Sequence, residues 1–164
     1  MVERVASNLR FERSEDSKRL ADGTVVEKSV KLIIGSDPAA VRAVQDHILE
    51  ELTRFGFDHQ SHFAVKLALE EALINAMKHG NRLDASKKVH VEFKINADQI
   101  EMIVEDEGPG FAREGVPDPT LDENIEKCSG RGILLIEAYM SSVYWSRGGR
   151  RLHMIKKNEP DSTP

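Results

Sequence analysis

Glu71 and Asn75 stand four residues apart in a largely apolar stretch, a spacing that makes them neighbours on one helix face. A carboxylate beside a carboxamide suits phosphoryl transfer. The Asn carbonyl oxygen can hold Mg2+ without adding charge. The Glu can accept a proton from a hydroxyl or a water as it attacks a terminal phosphate. The pair also has a plain structural reading, a buried hydrogen-bonded couple that caps a neighbouring loop. Lys78 and His79 continue the polar stripe. Lys78 suits a phosphate contact or an ordinary surface position, and His79 suits the site or simply the negative end of the helix.

Two glycine segments follow. Asp106-Glu-Gly108-Pro-Gly110 comes directly after the alternating run Ile100 to Glu105. An Asp at a strand end beside a glycine loop can accept a hydrogen bond from an exocyclic amine such as that of adenine, although a tight turn would use the same residues. Gly130-Arg131-Gly132 precedes Ile133-Leu-Leu-Ile136. Glycines let backbone approach phosphate, a helix start offers free N–H groups, and Arg131 adds charge. A hinge closing a loop is the alternative. None of the three segments is specific alone. Their order is what points to one nucleotide site.

The elements that must position these residues are legible from periodicity. Thr24 to Ile34 is a β-branched run of strand length. Asp37-Pro38 starts a helix over about 38–54, with Val41, Val44, Ile48, Leu52 and Phe55 at helical spacing, and Gly56 can end it. A second helix is expected from about Gln60 to His79, stopped at Gly80-Asn81. On it Val65, Leu69, Ala72, Leu73 and Ala76 form one apolar face, and Phe63, Leu67, Ile74 and Met77 the other flank. Val89 to Phe93 and Ile100 to Val104 alternate into a hairpin, and Val143–Trp145 with Leu152–Ile155 make another around Gly148-Gly149. Phe111 to Ser129, with Pro117 and Pro119, reads as a long lid, and a short helix runs from Ile133 to about Met140. Hairpins with helices between them predict an α+β two-layer sandwich: a mixed, mostly antiparallel sheet with its helices on one face. Residues 1–23, rich in charge and serine, are expected to be a mobile arm, 24–157 the folded domain, and 158–164 a tail.

Composition narrows the function classes. The chain has 164 residues and a net charge of −5, so a general electrostatic grip on nucleic acid is not expected. No apolar run reaches the ~18–20 residues that span a bilayer, and the N-terminus lacks the apolar region of a signal peptide. Cys128 is the one cysteine, so the expected setting is a reducing cytoplasm, with no membrane partner. There is no Gly-x-x-x-x-Gly-Lys-Ser/Thr loop and no His-Arg-Asp or Asp-Phe-Gly, and no Cys/His cluster has zinc-ligand spacing.

Glu70-Glu-Ala-Leu-Ile-Asn-Ala-Met-Lys-His-Gly80, the Asp-Glu-Gly-x-Gly-Phe segment and Gly130-Arg-Gly-Ile-Leu-Leu-Ile136 together resemble the Bergerat-fold ATP-binding domains of gyrases and histidine kinases. Within that group they resemble the small anti-sigma factor serine/threonine-protein kinases. The resemblance covers about residues 25–157. It implies ATP and Mg2+ as ligands, Asn75 on the metal, and Glu71 as general base. It further implies Asp106 on the adenine amine, Gly108 and Gly110 shaping the pocket, and Gly130, Arg131 and Gly132 along the phosphates. It also implies a kinase that phosphorylates a small anti-sigma-factor antagonist, sequesters a sigma factor, and pairs as a homodimer. The alternative is an ATP-loaded switch that grips a partner without transferring phosphate. The ATPase half of a phosphorelay kinase fits less well, because residues 1–23 are too short to supply a dimerisation helix pair.

Overall fold

The computed structural model describes residues 12–110 and 128–159. Their elements run β1 (Glu12–Arg19), β2 (Val25–Gly35), α1 (Pro38–Arg54), α2 (His59–Asn75), a π turn (Ala76–Gly80), β3 (Lys88–Asn96), β4 (Gln99–Asp106), α3 (Cys128–Tyr139), β5 (Ser142–Ser146) and β6 (Arg151–Lys157). The strands form one sheet in the order β1-β2-β3-β4-β6-β5, and every neighbouring pair is antiparallel. The helices cover one face, so the α+β sandwich expected from the sequence is the observed fold.

Strand alternation sets the inner face. Val89, Val91, Phe93 and Ile95 on β3 pack beside Ile100, Met102 and Val104 on β4. Against them lie Val44, Ile48 and Leu52 of α1 and Val65, Leu69, Ala72 and Leu73 of α2. Each fully buried Leu or Ile here stabilises by about 1.5–3 kcal/mol. The flank of α2 divides: Met77 is buried, whereas Phe63 is 58% exposed and rests edge-to-face on Tyr139 of α3. Asp37 caps α1 by accepting from the Ala39 N–H at 2.9 Å, with Pro38 at the first helical position. Asp58 caps α2 through the Ser61 N–H at 2.7 Å.

Three expectations are corrected. Glu12–Arg19, read as part of a mobile arm, is an edge strand paired with β2 along its length. Its almost wholly polar sequence hid it, since an edge strand needs no apolar alternation and charge there discourages sheet-to-sheet pairing. The helix expected to run unbroken to His79 is α-helical only to Asn75 and then widens, with the Asn81 N–H reaching the Ala76 carbonyl at 2.8 Å. The third helix begins at Cys128 rather than Ile133, so Gly130-Arg131-Gly132 lies inside its first turns. Of the lid expected over Phe111 to Ser129, residues 111–127 lie outside the described residues, and Cys128 and Ser129 belong to the start of α3.

Beneath the C-terminal half of α1, Lys28 of β2 meets the buried Glu51 at 2.6 Å, and Arg54 reaches the same oxygen at 2.8 Å. A buried carboxylate left short of a cation is costly. Lys28→Met is therefore expected to lower the unfolding free energy by about 3 kcal/mol in urea titration. Lys31→Met, which breaks the exposed Lys31–Glu92 pair at 3.6 Å, should cost under about 1 kcal/mol. Equal losses would show that the Glu51 pair is no more than a surface contact.

Candidate functional site

The chemistry-bearing residues gather along the last turns of α2 and the π turn, in two clusters. The first joins α2 to α3. A β-carbon built on Gly132 would lie 2.5 Å from Glu71 Oε2 and 3.3 Å from Asn75 Nδ2, so the two head groups converge on the backbone of α3. Both residues are half-buried, and no hydrogen bond to another described residue holds either side chain. Burial, with Glu70 adding like charge, pushes the Glu71 carboxyl above its ordinary value.

The second cluster joins the π turn to the end of β4. Asp106 takes the inward parity of Ile100, Met102 and Val104, so the strand's own alternation turns it to the helix side, where it is 8% exposed. A β-carbon on Gly80 would collide with the Asp106 carboxylate, and one on Gly108 with the Gly80 carbonyl. Only glycines let these backbones close around the carboxylate. Asp106 Oδ1 accepts the Gly108 N–H at 2.8 Å, and the Asp106 N–H donates to the Arg150 carbonyl at 3.1 Å. Burial raises the Asp106 pKa. The Gly108 N–H and the Arg150 charge act against that rise, and Glu105 adds to it. Gly110, at φ +82°, fits tightly against the Gly148 carbonyl of the β5–β6 turn.

Asn81 ties the clusters to the sheet, and sequence reasoning treated it only as a helix stop. It is 0% exposed. Its Oδ1 accepts the Glu107 N–H at 2.8 Å, and its Nδ2 donates to the Lys88 carbonyl at 2.9 Å. Glu107 lies inside the glycine segment and carries no role in the sequence reading. Its carboxylate accepts the Lys88 N–H at 2.9 Å and sits 3.2 Å from His90 Nε2. The only available signal was the polar pair itself, one residue at the helix stop and one inside the glycine loop. The remaining expected residues are less gathered: Lys78 and His79 are exposed on the π turn, Arg131 is exposed on α3, and Gly130 is buried.

The donor set bears on the expected metal. Among the described residues no three His, Cys, Asp or Glu side chains gather to hold an ion. Asn75, whose carboxamide has no hydrogen-bond partner among the described residues, is nevertheless a ligand of the kind Mg2+ takes when phosphate oxygens and water fill its other positions. The residues present fit that mode and no protein-only cage.

A two-layer sandwich with these clusters at the helix-covered ends of its strands is of the Bergerat ATP-binding class. Residues 34–156 match the model of the histidine kinase-like ATPase domain, and the chain belongs to that family, alongside the anti-sigma factor serine kinases. It is 36% identical over 127 residues to the anti-sigma F factor of Clostridium perfringens, covering 73% of this chain and 81% of that protein. It is 34% identical over 96 residues to the serine-protein kinase RsbW of Oceanobacillus iheyensis, covering 55% of this chain and 61% of that one. The RsbW of Bacillus subtilis is 26% identical over 122 residues, 70% and 75% of the respective chains. The chain spans less than two thirds of the Oceanobacillus protein and 66% of the Listeria monocytogenes RsbW. No helix among the described residues is long and apolar enough to cross a membrane.

Two outcomes follow from the packing. Gly108→Ala meets backbone and should cost roughly 1–3 kcal/mol or more. Gly132→Ala meets mainly the movable end of Glu71 and gains helix propensity, so its net change should stay under about 1 kcal/mol. Chemical denaturation of both separates the cases, and an equal loss would mean that α3 cannot adjust over Glu71. A carboxyl whose pKa rises on folding adds stability below its unfolded value, and that stability is lost as pH rises through the folded value. Ionised Asp106 is thus a liability near neutral pH. Asp106→Asn is expected to raise the melting temperature there, with the gain vanishing as pH falls into the ordinary carboxylate range. A lowered melting temperature at neutral pH would contradict this.

Proposed function

We propose that this protein is an ATP-dependent serine/threonine-protein kinase that acts as an anti-sigma factor, phosphorylating a small antagonist protein and sequestering a sigma factor. The observation that carries the reading is the convergence of Glu71 and Asn75 on Gly132, half-buried and without a hydrogen bond among the described residues, on the helix whose π turn closes on the buried Asp106 at Gly80. The names of the relatives support it, because one set is named for serine-protein kinase activity and the other for anti-sigma action. A homodimer and a cytoplasmic setting belong to the same reading.

In this scheme Asp106 accepts the adenine amine, and Gly108 and Gly110 allow the base to lie close to backbone. Gly130, Arg131 and Gly132 line the phosphates together with Lys78 and His79. Asn75 would hold Mg2+, which when bound would neutralise phosphate charge. Glu71 takes the proton of the acceptor serine as its oxygen attacks the terminal phosphorus, and the bond from that phosphorus to the bridging oxygen breaks to release ADP. Its raised pKa strengthens it as a base and brings its titration toward the working pH. A second reading, a nucleotide-loaded switch without transfer, draws support from the close approach of Gly132 to Glu71, where a β-carbon would lie 2.5 Å from Oε2.

Incubation with labelled ATP and an antagonist carrying an acceptor serine tests the choice. Glu71→Gln is expected to slow label transfer by about 10²–10⁴-fold while leaving ADP binding nearly unchanged. Asp106→Asn should weaken ATP binding by about 10–100-fold in calorimetry. The wild-type transfer rate should fall with decreasing pH at a higher pH than an ordinary glutamate would give, because the base must be ionised. Undiminished transfer by Glu71→Gln removes Glu71 as the base, and stable partner binding with no transfer favours the switch.

A further inference from the structure

The β5–β6 turn is an unexplained wall of this site. Arg147, Gly148 and Gly149 all take positive φ, at 52°, 66° and 87°, so the turn has a closely specified shape. It presses on the Asp106–Gly110 loop at two points. The Arg150 carbonyl accepts the Asp106 N–H at 3.1 Å. A β-carbon on Gly110 would strike the Gly148 carbonyl and lie 3.3 Å from Arg150 Cγ, so the stem of Arg150 flanks the loop's last glycine. The Arg150 Nε folds back to donate to the Arg147 carbonyl at 3.2 Å, which keeps the guanidinium over the turn.

The charges around Asp106 are unevenly committed. On β4, Glu105 is gripped by Arg147 and Arg151, each at 2.7 Å. On the loop, Glu107 turns away to the Lys88 N–H and His90. On the π turn, Gly80 brings no side chain to the carboxylate, and Lys78 and His79 are exposed. From the β5–β6 side the cation whose field reaches Asp106 is Arg150.

We propose that Arg150 is the positioning residue of Asp106, its backbone fixing where the carboxylate sits and its charge keeping that carboxylate a hydrogen-bond acceptor for an amine-bearing purine. This rests on the nucleotide reading above for its ligand, but not for its electrostatics. Burial alone favours the protonated carboxyl, which presents an O–H where an amine needs an acceptor. The Gly108 N–H, at 2.8 Å, and after it the charge of Arg150 act against that tendency.

The test uses the full chain. The Asp106 carboxylate is titrated by 13C NMR without nucleotide, assigned by its loss in Asp106→Asn, in wild type, Arg150→Met and Arg150→Lys. Met keeps the stem against Gly110 and removes the charge, whereas Lys keeps both. ADP affinity is measured by calorimetry across the same pH range. The expected result is a midpoint raised by about half a pH unit or more in Arg150→Met and near wild type in Arg150→Lys. ADP binding by Arg150→Met should be up to about threefold weaker at the acid end, with recovery at higher pH. Should Arg150→Met fail to fold, the wild-type midpoint is followed from about 0.02 M to about 0.5 M salt, where screening of Arg150 should raise it. Identical midpoints in the three proteins, or a salt-independent midpoint, overturn the proposal. If ADP binds none of them while the midpoint still shifts, the nucleotide reading falls and the electrostatic role of Arg150 stands.

Discussion

Two chain segments approach each other around the Asp106 carboxylate more closely than any side chain would permit, and the rest of the site depends on that approach. Gly80 ends the π turn on one side and Gly108 opens the loop on the other. Because neither carries a β-carbon, the end of α2 and the end of β4 meet backbone to backbone. Asn81 then locks the junction from beneath, accepting from Glu107 and donating to Lys88. With the helix end fixed to the strand end, Asn75 and Glu71 are fixed in turn, about one and two helical turns upstream, where α3 comes down on them at Gly132. A rigid sheet thus delivers one carboxylate while a rigid helix delivers a second carboxylate and an amide.

This arrangement sets site chemistry against stability. Asp106 occupies an inward strand position that Ile100, Met102 and Val104 fill with hydrocarbon, and its burial disfavours the charged form. Glu71 carries a milder version of the same cost, from burial and from Glu70 beside it. The large apolar core between the sheet and α1–α2 supplies the surplus that tolerates both. Lys28 and Glu51 are a different kind of buried charge, paired at 2.6 Å and far from the glycine loop in sequence, and they fasten β2 to α1 rather than serving the site.

Much of the fold was legible because its signals are local. Alternation in Val89–Phe93 and Ile100–Val104 found β3 and β4, and Asp37-Pro38 found the start of α1, because strand faces and helix caps are set by adjacent residues. The polar stripe of α2 drew Glu71 and Asn75 from the same periodicity, and the structure brings both to Gly132. What stayed hidden depends on contacts distant in sequence. β1 exists because β2 offers it a ladder, with Glu12 opposite Ile33 and Lys18 opposite Glu27, and its own sequence asks for no strand. Asn81 gains its role from Lys88 and Glu107, and α3 starts ahead of its glycines although their propensity argues against a helix there.

The π turn gives the site a phase. An α-helix advances about 100° per residue, so one additional residue in a turn shifts the bearing of everything after it by nearly a third of a revolution. Upstream of Ala76 the helix keeps the bearing that points Leu69 and Leu73 into the core. Downstream, Gly80 and Asn81 keep a different bearing, the one that meets β4. An ordinary α-turn over the same residues could satisfy only one of the two. The widened turn between Ala76 and Gly80 therefore acts as a one-residue phase shifter that lets a single helix serve the core and the carboxylate loop at once.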